Sequence, residues 1–156
     1  MAIATGDPAP EFDLEEAFDR PRVRLSDFRG KRNVLLVFHP WAFTSVCAEE
    51  ARDLQANLES FRNAETEVVF VSCDSSATRQ AWKKELGATY TFASDFWQHG
   101  SVSRAYGVFD EATGAPHRGT FLIDREGIIV WSLVKESDEY RAEMVPDSLD
   151  SLGATA

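Results

Sequence analysis

Residues 33–62 read NVLLVFHPWAFTSVCAEEARDLQANLESFR, and the order of signals in this stretch decides the fold. Asn33–His39 is a nearly continuous apolar run. It is too short for a helix and rich in strand formers, so it reads as a buried central strand. Pro40 stops it, because proline cannot donate to a strand ladder. Thr44 can then cap a helix running to about Arg62. Within that helix Ala51, Leu54, Leu58 and Phe61 recur at three- and four-residue spacing, which marks a buried stripe.

The same alternation continues on either side. Glu67–Cys73 (EVVFVSC) reads as a second buried strand, and a helix near Ala77–Leu86 ends at Gly87. A short strand at Tyr90–Ala93 precedes a helix that Ser94 or Asp95 can cap and that runs to about Tyr106. Gly119–Asp124 and Ile128–Val134, joined by a turn at Arg125–Gly127, read as a hairpin. Upstream, a Pro- and Gly-punctuated segment leads to short strands at Glu11–Leu14 and Val23–Leu25, and near the end Pro146 splits or delays a terminal helix. This order is that of a thioredoxin-like α/β sandwich, a central mixed sheet flanked by helices, in one domain over residues 1–156. Order alone does not settle the fold.

Composition narrows the function. An apolar fraction of 44% in 156 residues is enough for a core without disulfides or a structural metal. The balance of 16 basic against 26 acidic residues gives a net charge of −10, which repels phosphate backbones and anionic lipid. Arg20, Arg22, Arg24, Arg29, Lys31 and Arg32 come closest to a basic patch, but acids are mixed among them and they read as a solvated segment. No run approaches the roughly 18 apolar residues of a membrane span. The N-terminus has neither the basic nor the apolar region of a secretory signal. Two cysteines 26 apart then point to a reducing compartment, so a cytoplasmic location is expected. His99 and His117 lack mutual metal-ligand spacing, and neither metal nor cofactor is expected. Trp82, Trp97 and Trp131 read as core or interface packing.

A cysteine in isolation is most often inert packing. Cys47 has a different context, because it follows a central strand, a proline and a helix cap, and so falls in a first helical turn. Unpaired backbone N–H groups and the positive end of the helix dipole favour a thiolate there. Thiols so placed near a cation have pKa values of about 3.5–7.5. Attack of such a thiolate on a peroxide develops charge on the leaving oxygen, so donors must surround both oxygens. Thr44 and the N–H groups of Val46 and Cys47 can supply them, and Pro40 can shield the sulfur.

Pro40-Trp-Ala-Phe-Thr44-Ser-Val-Cys47 resembles the peroxiredoxin active-site signature of proline, three residues, threonine, two residues and cysteine. The segments VLLVFHP, SDFWQHGSVSRAYGVFD at 94–110 and RGTFLIDREGII at 118–129 also resemble peroxiredoxins, and the likeness covers about residues 6 to 135. The DFW-x-HG segment and the chain length are similar to the short actinobacterial subgroup, alkyl hydroperoxide reductase E. The resemblance implies a thiol-dependent peroxidase acting on hydrogen peroxide or organic hydroperoxides. It implies Arg118 as the guanidinium that holds thiolate and peroxide, Glu50 as the residue orienting it, and a homodimer formed through the loops flanking the site. His39 departs from the pattern, since many members carry Tyr or Phe there. Either it hydrogen-bonds near the pocket and tunes the thiolate or it is a satisfied core histidine. Trp41 adds bulk at the mouth.

The sulfenic acid left on Cys47 must be reduced. A second thiol near the C-terminus is absent, and the position five residues after Cys47 is Arg52. Cys73 remains as a possible second redox thiol, and packing is the favoured reading because cysteines on adjacent rigid elements rarely come within bridging distance. A one-cysteine cycle completed by an external thiol or a thioredoxin- or glutaredoxin-like partner is therefore expected. The alternatives are a peroxiredoxin fold redirected to a biosynthetic or thiol-transfer reaction, and a non-enzymatic redox sensor or holdase.

Overall fold

The computed structural model describes residues 3–142 and Leu149. Its frame is a five-stranded sheet of β3 (Asn33–Phe38), β4 (Thr66–Ser72), β5 (Thr91–Ser94), β8 (Arg118–Ile123) and β9 (Ile129–Lys135), in the order β5-β4-β3-β8-β9. β3, β4 and β5 run parallel, whereas β8 and β9 are antiparallel additions, so the sheet is mixed. Two small hairpins pair β1 (Asp13–Leu14) with β2 (Val23–Arg24) and β6 (Phe109–Asp110) with β7 (Ala115–Pro116). The helices are α1 (Ser45–Ala56), α2 (Leu58–Asn63), α3 (Ser76–Leu86) and α4 (Ser101–Ala105).

All six residues of β3 are buried, as a strand covered on both faces requires. The alternation of a strand divides its side chains between two cores. Val34, Leu36 and Phe38 join Val69, Val71, Phe121 and Ile123 on one face, where Val102 and Tyr106 from the α4 segment and Phe12, Leu14 and Leu25 cover them. Leu35 and Val37 join Val68, Phe70, Phe92 and Leu122 on the other, under Cys47, Ala51 and Leu54 of α1, Leu58 and Phe61 of α2, and Trp82 of α3. Each face is thus sealed by helices, and the expected sandwich of a mixed sheet between helical layers is the architecture found.

Several boundaries differ from the sequence reading, each for a local reason. The helix expected from Thr44 to Arg62 is broken at Asn57, whose side chain donates to the Asp53 carbonyl at 2.9 Å and competes with the helical ladder. The helix expected from Ser94 or Asp95 starts only at Ser101, because Gly100 at φ 74 is left-handed. Asp95 caps it from a distance, accepting from the Val102 N–H at 3.1 Å and from the Ser103 N–H and hydroxyl at 2.8 Å each. The β6–β7 hairpin was not visible as a pattern, being two residues per strand. The terminal helix placed around Pro146 lies outside the described residues.

Gly100 is where this part of the fold is least tolerant. Its positive φ disfavours any side chain, and a Cβ there would run into the ring of Phe109. Replacement by alanine combines a left-handed residue with overpacking, so Gly100→Ala should lower stability by about 2 kcal/mol or more in urea unfolding. A change below about 0.5 kcal/mol, the size of an ordinary surface substitution, would contradict it.

Candidate active site

β3 leads through Pro40 and residues 41–43 to Thr44, which occupies the N-cap position of α1 with φ −113 and ψ 152. Phe43 in this turn adopts φ 63, uncommon for a bulky residue and typical of segments held by their surroundings. Thr44 does not cap the helix as expected. Its hydroxyl turns back and donates to the Trp41 carbonyl at 2.8 Å, a local alternative open to short hydroxyl side chains. The first helical carbonyl bond is Ala48 N–H to Thr44 O at 2.9 Å. The N–H groups of Ser45, Val46 and Cys47 therefore have no acceptor within the helix and none from the cap side chain.

Cys47 has no exposed surface and is a free thiol. One turn further along α1, Glu50 is also fully buried. Its Oε1 accepts from Arg118 Nη1 at 2.5 Å and from Arg141 Nη2 at 2.9 Å, and its Oε2 accepts from Arg141 Nε and the Arg141 N–H, both at 2.9 Å. Arg118 sits at the first position of β8 and also donates from Nε to the Ser137 carbonyl at 2.8 Å. Arg141 donates to the Gly119 carbonyl at 3.1 Å and to Thr120 Oγ1 at 2.8 Å. One buried carboxylate thus faces two buried guanidinium groups, and the cluster carries a net positive charge.

His39 directly follows β3, donating its N–H to the Val71 carbonyl at 2.9 Å, and by alternation falls on the same sheet face as Leu35 and Val37. It is fully buried, stacks on Phe70 with centroids 4.0 Å apart, and pairs through Nε2 with Arg79 Nη1 at 2.5 Å. Guanidinium groups only donate, so Nε2 is the acceptor and the ring is neutral with its proton on Nδ1. Burial, followed by the charges of Arg79, Arg141 and Arg118, holds its pKa well below the usual histidine range. Nδ1 makes no well-formed hydrogen bond. His39 is thus neither a wholly satisfied core histidine nor a titrating one.

The structure brings Glu50 and Arg118 into contact, sets Pro40 buried beside His39, and leaves Cys73 apart. Cys73 follows β4 and is buried; its neighbours Asp95, Ser103 and Gly100 belong to the start of the α4 segment, on the sheet face away from Cys47. Burial, reinforced by Asp95, pushes its thiol up to about 12. Trp82 is core, Trp131 packs partly buried against the same cluster, and Trp97 is 78% exposed. Arg141 was missed, because an arginine in the polar run ESDEYRAE reads as a solvated charge. Arg79 was missed too, although its place three residues before Trp82 on an amphipathic helix marks a buried face.

Residues 5–132 match the AhpC/TSA family. The chain is 41% identical over 153 residues to alkyl hydroperoxide reductase E of Mycobacterium tuberculosis, covering 97% of this chain and 99% of the relative. It is 37% identical over 138 residues to a chloroplastic 2-Cys peroxiredoxin of Spinacia oleracea, covering 83% of this chain and 51% of that one. Among solved structures, the reduced 2-Cys peroxiredoxin of Plasmodium vivax superposes with a TM-score of 0.82 at 33% identity, over 97% of this chain and 81% of that one. Enterococcus faecalis AhpC gives 0.82 at 26% identity, over 99% and 93%. With this fold, a buried cysteine opening α1 and a matching profile over most of its length, the chain belongs to the AhpC/TSA family of peroxiredoxins.

Proposed function

We propose that this peroxiredoxin is a one-cysteine, thiol-dependent peroxidase whose nucleophile is Cys47. The observation that carries the reading is a fully buried thiol in the first turn of α1, one turn ahead of a carboxylate that holds Arg118. The thiolate attacks one peroxide oxygen; an S–O bond forms as the O–O bond breaks. Sulfur is oxidised by two electrons to the sulfenic acid, and the leaving oxygen takes a proton to become water or an alcohol. The free N–H groups of Val46 and Cys47 and the Arg118 guanidinium stabilise the charge that develops on those oxygens. Thr44 offers its hydroxyl oxygen to the attacked peroxide, Pro40 shields the sulfur, and Glu50 orients Arg118. His39 supports the turn beside Pro40.

A sulfur without exposed surface favours a small oxidant, hydrogen peroxide or an organic hydroperoxide. An external thiol, or a thioredoxin- or glutaredoxin-like partner, then condenses with the sulfenic acid, releasing water, and a second thiol displaces the resulting mixed disulfide to restore Cys47. The position and raised pKa of Cys73 support an external reductant, since its thiol is neutral at physiological pH. Two free thiols suit a cytoplasmic protein, and among the described residues no helix is long and apolar enough to cross a membrane. Trp41, Phe43, Phe96 and Trp97 are 42–78% exposed, and exposed aromatic side chains of this size support a homodimer of single-domain subunits formed through the loops that carry them.

Cys47→Ser should reduce peroxide consumption with dithiothreitol by about a thousandfold or more, and activity near that of the wild type would end the proposal. After one equivalent of peroxide, peptide mass spectrometry should find one added oxygen on Cys47 and an unmodified Cys73; loss of two hydrogens joining the two would instead require a two-cysteine cycle. Sedimentation should give a dimer whose dissociation constant rises at least tenfold in Trp97→Glu. A wild-type monomer at micromolar concentration, or no effect of the substitution, would remove that interface.

A further inference from the structure

Arg79 is a fully buried cation that the reading above does not use. It makes four hydrogen bonds and none is to a carboxylate: Nε to the Ala93 carbonyl at 3.0 Å, Nη2 to the Phe70 carbonyl at 2.6 Å, and Nη1 to Ser72 Oγ at 3.0 Å and His39 Nε2 at 2.5 Å. Its guanidinium carbon lies 5.4 Å from the centroid of Phe70, 6.0 Å from Trp82 and 5.1 Å from Phe92, so aromatic rings fill the space where a counter-ion would normally sit. Burying a charge this way is costly unless an anion repays it.

The candidates for that anion can be followed outward. Burial lowers the Arg79 pKa to about 10, so it stays charged at neutral pH, and Asp74, Tyr90, Cys47 and Cys73 act against that lowering, in decreasing order. Tyr90 is neutral there, its hydroxyl donated to the Ala51 carbonyl at 2.6 Å and its pKa pushed up by burial. Cys73 is neutral too, at about 12. His39 is neutral, and Arg118 and Arg141 around it are cations. Two groups remain, Asp74 and the sulfur of Cys47, which shares one buried cluster with Phe70, Trp82 and Phe92, the rings around Arg79. Asp74 is reached only through Ser72, whose hydroxyl donates to Asp74 Oδ2 at 2.6 Å, and the same oxygen accepts the Ala42 N–H at 2.8 Å.

We propose that Arg79 is a positioning residue of the peroxidase site, a second buried cation that biases Cys47 toward the thiolate and, through His39 and the Ser72–Asp74 pair, fixes the His39–Ala42 segment between β3 and α1. This rests on the reading of Cys47 as nucleophile. A purely structural Arg79 would tie α3 to β4 and β5 and leave the acidity of Cys47 alone, so the two roles separate in a titration.

The test is the pH dependence of iodoacetamide alkylation at Cys47 in the full-length chain, followed on the Cys47 peptide by mass spectrometry. Arg79→Gln should move the midpoint up by about one pH unit, while Arg79→Lys, which keeps the charge, should move it by less than half as much. An unchanged midpoint in folded Arg79→Gln, or equal shifts in both variants, overturns the proposal. If Arg79→Gln does not fold, Asp74→Asn decides: removing the competing anion should move the midpoint down, and no movement or an upward one overturns the proposal. A wild-type midpoint near the ordinary thiol value of about 8.5 would instead sink the reading of Cys47 as nucleophile, independently of Arg79.

Discussion

Glu50 has no exposed surface, and an ionised carboxylate so deeply placed is unfavourable by several kcal/mol unless cations meet it. Arg118 at the head of β8 and Arg141 beyond β9 do so, with four hydrogen bonds between them. The pairing fixes more than one side chain. It joins α1 to the antiparallel half of the sheet, and because Glu50 lies one helical turn beyond Cys47, it also fixes the rotation of α1 about its own axis. Whatever sets that rotation sets where the sulfur points. Removing Glu50 would leave two like charges in the core without a counter-ion, so the cluster acts as a single constraint.

The N-terminus of α1 completes the arrangement by leaving something out. Most helices satisfy their first N–H groups with a cap side chain. Here Thr44 holds the cap position but spends its hydroxyl hydrogen on the Trp41 carbonyl, and the donors of Val46 and Cys47 receive no bond from the cap side chain. The left-handed Phe43 and the anchoring of the Ala42 N–H by Asp74 belong to the same turn, which is thus held from outside the helix.

Much of this was legible in the sequence, for identifiable reasons. β3 and β4 read correctly because strands covered on both faces leave a continuous apolar signature, and the placement of Cys47 followed from strand, proline and cap. Boundaries were lost where a single polar side chain decided them: Asn57 broke a helix by bonding Asp53, and Asp95 capped α4 across an intervening loop. Arg141 left no signal because its burial depends on Glu50, 91 positions away in the chain. Tertiary ion pairs have no period, and pattern reading sees only periods. His39 shows the same limit, since its state is set by Arg79, 40 residues downstream.

The two cysteines show how far surroundings outweigh residue type. Both are buried and both lie at the carboxyl end of the parallel strands, yet the sheet divides their environments. Cys73 is held protonated by burial and by the charges of Asp95 and Asp74. Cys47 opens a helix beside a cluster of net positive charge. The proposed reactivity of Cys47 therefore rests on the helix start and the buried guanidinium groups, and not on residue type.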